Sequence, residues 1–316
     1  MPFIPTVSLL TSVYQGEDYL SSFFEQVQTQ TIFPELELVL VMNEPSSKEK
    51  QLANDFAVRN PAALQVLTVP LRETLGASWN RAWRASRSPY LVLWNVDDRR
   101  VIDSLQRQLA TLEQNPAAVL SYGDYVTVPA YGREEGVRRH TQAYHTGHFR
   151  RAFAQGGAFW LFRREVADQV GYFDEQFQVG ADLEYSFRLA AKGLQMTRCE
   201  GLLGYFTDAS QGLSTREGAI VAAVERTVTQ LRYGVFDKVR KDYLDEARKM
   251  RLDAVKNAET WIPLGDYLPE HASYVERRKW LWLVGRMRNA VRNGLQSIGL
   301  LPLLYRAQEK HLKRDI

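Results

Sequence analysis

The sequence contains little cysteine and no long apolar segment. Cys199 is the one cysteine among 316 residues, so the chain forms neither an internal disulfide nor a site of several thiolates, which fits a reducing compartment. The longest uncharged run, residues 1–16, has two prolines and no basic segment, so we expect neither a signal peptide nor a membrane span there. With 45% hydrophobic and 24% charged residues and no repeat, the composition is that of an ordinary globular protein. It excludes disordered, collagen-like and coiled-coil classes.

Charge is concentrated at the C-terminal end. Residues 277–316 carry ten Lys or Arg against two Asp or Glu, whereas the whole chain has a net charge of only +3. An acidic body therefore carries a basic tail, which either binds an anionic partner or is solvated. Nucleic acid is not the expected partner, because the basic residues accompany an apolar stripe and no nucleic-acid-binding module is recognised.

The apolar residues of this tail recur at helical spacing, and the basic residues lie largely elsewhere around the helix. The stripe consists of Trp280, Leu283, Val284, Met287, Val291, Leu295 and Ile298. Such a helix either lies in the interface of an anionic membrane or packs on the rest of the protein through the same apolar face. The longest uncharged stretch of the tail, residues 293–305, is too short to cross a bilayer, which needs about 20 residues.

Strand-like and helix-like patterns alternate through the first half, which predicts an α/β fold with a largely parallel sheet. We predict strands at residues 6–12, 36–42, 64–69, 90–96 and 119–125, and helices at residues 17–29, 75–86 and 103–114, with a further helix opening at a capping box of Ser46 and Glu49. Residues 126–151 lose periodicity and are predicted to form a surface loop. Beyond about residue 216 the pattern is helical, apart from a break at residues 263–269.

Two acidic residues, Asp97 and Asp98, follow the predicted strand at 90–96. The carboxyl end of a strand is the edge of an open α/β sheet where ligands bind. Carboxylates there can hold Mg²⁺ or Mn²⁺, which take oxygen ligands. The alternative is a turn in which Asp98 caps the next element.

A second acidic pair, Asp182 and Glu184, falls at the start of a predicted helix. The two side chains would lie about 200° apart around that helix, so they cannot face one substrate together. Glu184 and Arg188 have the spacing of an intrahelical ion pair. Asp182 is then either the helix N-cap or a general base.

Six segments form an ordered series of motifs along the chain. They are Thr11-Ser12-Val13-Tyr14, Gly76-Ala77-Ser78-Trp79-Asn80-Arg81-Ala82, Asn95-Val96-Asp97-Asp98, Gly171-Tyr172-Phe173-Asp174-Glu175-Gln176-Phe177, Ala181-Asp182-Leu183-Glu184 and Arg188-Leu189. In this order they resemble the inverting glycosyltransferases of family 2, and the last three match the series that carries the family's catalytic base. The resemblance implies a GT-A fold, a Rossmann-like mixed sheet flanked by helices, with a catalytic domain at residues 1–215 and a helical region at residues 216–316.

The resemblance also implies a reaction and its site. The expected reaction moves a sugar from a nucleoside diphosphate sugar, with UDP favoured, to a glycan or lipid-linked acceptor at the cytoplasmic face of a membrane, in surface polysaccharide synthesis. Asp182 would be the base, and Mn²⁺ or Mg²⁺ would bind Asp97, Asp98 and Asp208. The expected donor contacts are Thr11, Tyr14, Asn43, Glu44, Ser78, Asn80, Asn95 and Asp97, and the acceptor side is assigned to Asp174, Glu175 and Trp160. His140, His145 and His148 lack zinc-site spacing and are either solvated or on the acceptor side.

The chain departs from the family pattern at several positions. Asn43-Glu44 stands where the family has an acidic residue for the nucleobase, Asn95 replaces the first Asp of the metal motif, and Ala181 replaces the Glu beside the base. Many members of the family have a further metal ligand, often histidine, in the loop after the catalytic helix. Residues 205–214 contain no histidine, so Asp208 is the oxygen ligand available there. These departures motivate a second hypothesis, a binding or scaffold protein without turnover. A nucleotidyltransferase is disfavoured because no glycine-rich, lysine-containing phosphate loop follows the first strand.

Overall fold

A mixed sheet forms the centre of the protein in the computed structural model, which describes residues 4–146, 157–208, 218–300 and 302. Within these residues the sheet has nine strands in the order β3-β2-β1-β4-β8-β6-β9-β5, and β7 pairs with β6. The strands are β1 (Val7–Val13), β2 (Leu36–Asn43), β3 (Leu64–Val69), β4 (Tyr90–Leu93), β5 (Arg99–Arg100), β6 (Ala118–Val128), β7 (Val137–Arg139), β8 (Leu161–Arg163) and β9 (Gln195–Thr207). The predicted α/β class with a mixed sheet is confirmed, although four of the eight strand pairings of this sheet among the described residues are antiparallel.

The half of the sheet formed by β3, β2, β1 and β4 is parallel. Almost every residue of β1 and β2 is buried, because helices cover both faces of the sheet. The strands predicted there from apolar runs are confirmed, although β4 ends at Leu93, three residues earlier than predicted.

Four helices follow the first strands and cover the sheet. They are α1 (Glu17–Thr29), α2 (Ser47–Arg59), α3 (Leu75–Ala85) and α4 (Ser104–Gln114). The predicted capping box is present: the Ser46 side chain accepts from Glu49 N, and Ser46 N donates to the Glu49 carboxylate. The carboxylate also accepts from Gly16 N at 2.6 Å, which ties α2 to the turn after β1.

The two faces of the sheet carry two hydrophobic clusters. One contains Trp83, Trp160 and Phe173, and the other contains Phe23, Phe56 and Trp94, all of them buried. Each such side chain contributes about 1.5–3 kcal/mol when removed from water. These two clusters therefore hold the strands of the sheet in place, including the edge at which their carboxyl ends meet.

Two predicted segments differ in the structure. The aperiodic stretch after residue 126 is not all loop, since β6 continues to Val128 and pairs with β7 through Tyr125 and Arg139, although residues 147–151 lie outside the described part. The region after residue 216 is not all helical either: β10 (Ala254–Asn257) and β11 (Thr260–Pro263) form an antiparallel hairpin.

The remaining helices complete the chain. They are α5 (Val166–Val170), α6 (Ala181–Ala191), α7 (Gly218–Arg232), α8 (Leu244–Ala247), α9 (Leu264–Tyr267) and α10 (His271–Ser297), with short 3₁₀ turns at Phe33–Glu35, Gly157–Phe159, Phe236–Lys238 and Lys241–Tyr243. Val228, Tyr233 and Leu264 belong to the cluster around Trp83, so residues 218–268 share the core of the sheet. The predicted domain boundary at residue 215 falls outside the described residues. No described helix is long and apolar enough to cross a membrane.

Candidate active site

A cleft lies at the carboxyl ends of β1 and β2, where the crossovers leave the sheet. Its volume is about 500 Å³, and its lining includes Ser12, Tyr14, Asn43, Arg72, Glu73, Thr74, Leu75, Gln178, Val179 and Val221. Two of the predicted donor residues, Tyr14 and Asn43, therefore line one cleft.

Asn43 ends β2 and joins three elements below this cleft. Its Nδ2 lies 3.2 Å from Ser12 Oγ, 3.3 Å from the Val13 carbonyl and 3.1 Å from Ser78 Oγ. Its Oδ1 accepts from Glu73 N at 3.1 Å. An amide can both donate and accept here, whereas a carboxylate would meet the Val13 carbonyl without a proton.

Tyr14 and Glu44 meet at Arg72, a residue that sequence analysis missed. Glu44 has a left-handed backbone with φ of +48°, and its Oε1 accepts from Arg72 N at 3.1 Å. The Arg72 guanidinium lies 4.1 Å from the centre of the Tyr14 ring. No spacing in the sequence predicts this role of Arg72, because its partners Glu44 and Tyr14 lie 28 and 58 positions earlier in the chain.

Asp97 and Asp98 lie just beyond β4, as predicted. Asp98 is buried, with Oδ1 accepting from Thr207 N at 3.1 Å and Oδ2 accepting from Asn95 Nδ2 at 3.3 Å. Burial and then the charge of Asp97 raise the pKa of Asp98 well above its ordinary value. Burial also raises the pKa of Asp97. Both carboxylates would be stabilised in the ionised form by a cation beside them.

The carboxylates present fit a divalent cation held mainly by Asp97. Asp97 is half-buried, and its carboxylate has no hydrogen bond or ion pair with another described residue, whereas both oxygens of Asp98 have donors within the protein. Asp208 is exposed directly after β9, and no group of three His, Cys, Asp or Glu side chains within the described ranges could hold a metal. The predicted set of Asp97, Asp98 and Asp208 is therefore not gathered as three ligands. One or two carboxylates with substrate phosphates suffice for Mg²⁺.

Asp182 is the second residue of α6, and Gly180 occupies the cap position. Helix capping therefore does not account for Asp182. The side chain is half-buried, and its Oδ1 accepts from Leu183 N at 2.8 Å. Burial raises the pKa of Asp182 to about 6. An aspartate with that pKa is a stronger base than an ordinary one and is still ionised at neutral pH.

Tyr125 connects the surroundings of the two acidic sites. Its ring stacks on Phe159 at a centroid distance of 5.4 Å. Burial raises the pKa of the Tyr125 phenol, Arg139 opposes the rise, and the negative charges of Asp182 and Asp98 add to it. The charges of Asp182 and Asp98 therefore both act on the Tyr125 phenol. The position of Tyr125 near these acids was not predicted, because strand alternation alone does not distinguish Tyr125 from its neighbours in β6.

Glu184 lies in a different environment from Asp182, as the helical spacing predicted. It is fully buried and paired with Arg188, and it lies 2.9 Å from Arg232 Nη1 and 2.6 Å from the Tyr233 hydroxyl. Burial alone would raise its pKa, but Arg188 and Arg232 lower it to about 2. Glu184 is thus a structural anion.

Two residues assigned to the acceptor side, Asp174 and Trp160, are buried, and their acceptor role stays a prediction. Asp174 is fully buried and pairs with Arg232 Nη1 at 2.9 Å, and its Oδ1 accepts from Lys256 N at 2.9 Å. Trp160 is buried in the core beside β8. Neither side chain presents a surface to an acceptor, because both are used to fix the elements around α6.

Asn80 and Glu175 also hold the protein together. Asn80 is fully buried: Nδ2 donates to Phe173 O at 2.9 Å and to Glu175 Oε1 at 2.8 Å, and Oδ1 accepts from Phe173 N at 3.0 Å. Glu175 Oε2 accepts from Ala258 N at 2.8 Å. The amide of Asn80 is occupied by these bonds, and its predicted donor contact stays a prediction.

The other predicted residues have mixed positions. Thr11 and Ser78 are buried beneath the cleft; Ser78 Oγ donates to Glu73 Oε1 at 3.1 Å, and Thr11 Oγ1 has no hydrogen-bond partner among the described residues. His140 is exposed and lies 2.9 Å from Asp124 Oδ2, His145 is exposed, and His148 falls outside the described residues. The donor and metal roles of these positions stay predictions.

The sequence profile of the family described as "Glycosyltransferase like family 2" matches residues 5–235. The chain belongs to this family. It is also 27% identical over 211 residues to the O-antigen biosynthesis protein RfbC of Myxococcus xanthus, a match that covers 61% of this chain and 16% of that protein. The chain thus spans about a sixth of the length of this relative.

Solved glycosyltransferase structures share the fold. S. aureus TarS 1-349 in complex with UDP-GlcNAc has a TM-score of 0.56 at 14% identity and covers 77% of this chain and 79% of its own. The mannosyltransferase PcManGT from Pyrobaculum calidifontis, in complex with GDP-Man and Mn²⁺, has a TM-score of 0.54 at 16% identity and covers 98% and 88%. The chain has the GT-A fold, as the motif order implied.

Proposed function

We propose that the protein transfers a sugar, with inversion, from a nucleoside diphosphate sugar to a hydroxyl of a glycan or lipid-linked acceptor. UDP-sugars are the favoured donors, and the pathway is the synthesis of a cell-surface polysaccharide at the cytoplasmic face of a membrane. The observation that carries the proposal is the placement of Asp182. It is a half-buried aspartate, its pKa is about 6, and its charge acts on Tyr125 together with that of Asp98.

Asp182 would act on the acceptor. The acceptor oxygen forms a bond to the anomeric carbon, the bond from that carbon to the diphosphate breaks, and Asp182 takes the hydroxyl proton. Oδ2 is the expected proton acceptor, because Oδ1 already accepts from Leu183 N. That same hydrogen bond holds the carboxylate in one orientation, which favours proton transfer.

The donor would lie between the cleft and the strand-end acids. Tyr14 offers a ring face to a base, Asn43 fixes the floor, and Asp97 would hold a divalent metal ion with Asp98 behind it. When bound, that ion supplies positive charge near the departing diphosphate. TarS has been solved in complex with UDP and with UDP-GlcNAc, and PcManGT with GDP-Man and Mn²⁺, which supports a donor and metal of this kind.

A binding or scaffold protein without turnover is the second candidate, and Ala181 favours it. Ala181 stands where the family has a glutamate, and it is fully buried against Gly76, whose added Cβ would lie 3.2 Å from Ala181 Cβ. The base Asp182 is nevertheless present, and the transfer reaction needs that residue rather than its neighbour.

The test is the release of nucleotide and formation of glycoside from UDP-GlcNAc, UDP-glucose and GDP-mannose, with Mn²⁺ or Mg²⁺ and a panel of lipid-linked and free glycan acceptors. If the protein is an enzyme, we expect turnover with one donor. Asp182→Asn should abolish this turnover while nucleotide binding persists. Nucleotide binding without turnover for any pair, together with full in vivo function of Asp182→Asn, would establish the scaffold candidate instead.

A further inference from the structure

Helix α10 is held to the body of the protein by one face. His271 Nε2 donates to the Arg232 carbonyl at 2.6 Å, and Arg278 Nε donates to the Gly234 carbonyl at 3.0 Å. The ring of Trp282 lies 6.3 Å from that of Phe236. At 100° per residue, positions 271, 278 and 282 lie within one narrow sector of the helix.

The large apolar side chains of α10 lie on the opposite side. Trp280, Met287, Val291 and Ile298 are 64%, 68%, 62% and 65% exposed, and Leu283 and Val284 are 45% and 40% exposed. These six residues belong to the predicted stripe of seven, whose remaining member, Leu295, is half-buried. The six, which we now call the apolar stripe, are centred about 180° from the docking sector. The alternative in which this stripe packs on the rest of the protein is therefore wrong: α10 makes that contact through the face that carries His271, Arg278 and Trp282.

Basic residues border the stripe on both sides. Arg277, Arg288 and Arg292 follow one edge, and Lys279 and Arg286 follow the other, as the helical positions place them. Within the 27 residues of α10 there are six Lys or Arg and one acidic residue, Glu276. An exposed apolar stripe with cationic borders is the pattern of a helix that lies in the headgroup region of a bilayer.

We propose that the apolar stripe of α10 is a docking surface for an anionic lipid membrane. Charge complementarity selects this occupant, because two copies of α10 joined through their stripes would bring like-charged borders together, whereas acidic headgroups neutralise them. The stripe faces away from the body, so the protein binds the membrane without rearranging its core. This proposal is independent of the transfer reaction.

The experiment is co-sedimentation of the full chain with phosphatidylcholine vesicles, with and without phosphatidylglycerol. Binding is expected only to the anionic vesicles and is expected to weaken with salt. Met287→Glu with Val291→Glu should abolish binding. Arg288→Ala with Arg292→Ala should lower the partition coefficient about 25-fold, since each basic residue contributes roughly fivefold near an anionic surface.

The matched control is Val58→Glu with Ile102→Glu, two exposed apolar residues on the body, 74% and 55% exposed. This control should bind vesicles as the wild type does, and all variants should keep the wild-type unfolding temperature. Absence of vesicle binding by the wild type, or equal binding by the Met287/Val291 variant, would overturn the proposal. A dimer in analytical ultracentrifugation that this variant dissociates would also overturn it, because a second copy would then be the occupant.

Discussion

Gly157 lies directly against the carboxylate of Asp182. A Cβ added at Gly157 would come within 2.1 Å of Asp182 Oδ2 and 2.7 Å of its Cβ. Real Cβ atoms do not approach other atoms so closely, so the absence of a side chain at 157 permits the present position of Asp182, the proposed base. The 3₁₀ turn that contains Gly157 is in turn stacked on Tyr125 through Phe159.

Gly157→Ala should therefore displace Asp182 and lower kcat by about 100-fold or more, because misplacement by about 1 Å is that costly. Nucleotide affinity should change little, since the cleft lies elsewhere. Gly265→Ala is the control, because a Cβ there meets no atom within 4 Å. Wild-type kcat for Gly157→Ala would show that Asp182 is not the base, or that its position is not critical.

The raised pKa of Asp182 predicts a pH profile. Because the base must be ionised, kcat/KM should rise with pH and level off above about 6, where Asp182 loses its proton. Asp182→Asn should lower turnover by about 10²–10⁴-fold and remove this rise. If kcat/KM of Asp182→Asn still rises with pH over the same range, that rise belongs to another ionisable group.

The same shift predicts a stability difference. A carboxyl whose pKa is raised on folding stabilises the protein below its unfolded value of 3.8, and that stabilisation is lost as pH rises through about 6. Asp182→Asn lacks this loss, so relative to the wild type it should gain stability between pH 4 and pH 8, by at most about 3 kcal/mol. Urea unfolding at both pH values measures it, and parallel pH dependences would contradict it.

Arg232 should be among the most important side chains for stability. It neutralises two buried carboxylates, those of Asp174 and Glu184, at 2.9 Å each. Arg232→Ala leaves them without this partner and should cost about 3–5 kcal/mol of unfolding free energy. Arg240→Ala, which removes an exposed pair with Asp242, should cost no more than about 1 kcal/mol. Equal effects of the two variants would contradict the buried network.

Tyr14 should contribute stacking energy to a nucleobase in the cleft. Stacking on an aromatic ring is worth about 1–3 kcal/mol, so Tyr14→Ala should weaken nucleotide binding about tenfold or more. Tyr243→Ala is a matched control, because Arg240 lies over Tyr243 at 4.8 Å just as Arg72 lies over Tyr14. Calorimetry of nucleotide binding to both variants tests whether the nucleobase lies on Tyr14. Unchanged nucleotide affinity in Tyr14→Ala would place the nucleobase elsewhere.

Local signals in the sequence predicted local structure well. The capping box of Ser46 and Glu49, the first helices and the parallel strands follow from periodicity within a few turns of chain. Asp182 was also singled out as the candidate base, because its neighbours form a recognisable series. Its environment was not predictable, since Gly157 reaches it from 25 residues away.

Contacts with distant partners were not predictable from the sequence. Asp174 was assigned to the acceptor side, and it is buried against Arg232 from α7, while the Asn80 amide donates to Glu175, which is 95 residues away. The amphipathic pattern of α10 was correct, but a helical pattern does not say which face meets the body. Only the positions of His271 and Arg278 against Arg232 and Gly234 decide that.

The most direct test of the account is nucleotide binding with and without Mn²⁺, measured by thermal shift for UDP, dTDP, GDP and CDP on wild type and Asp97→Ala. A ligand at 100 times its Kd stabilises by about 2.7 kcal/mol. The account predicts a Mn²⁺-dependent rise in Tm for one nucleotide that Asp97→Ala removes while keeping the fold. No shift with any nucleotide, or an equal shift in Asp97→Ala, would contradict the donor site proposed at β1, β2 and β4.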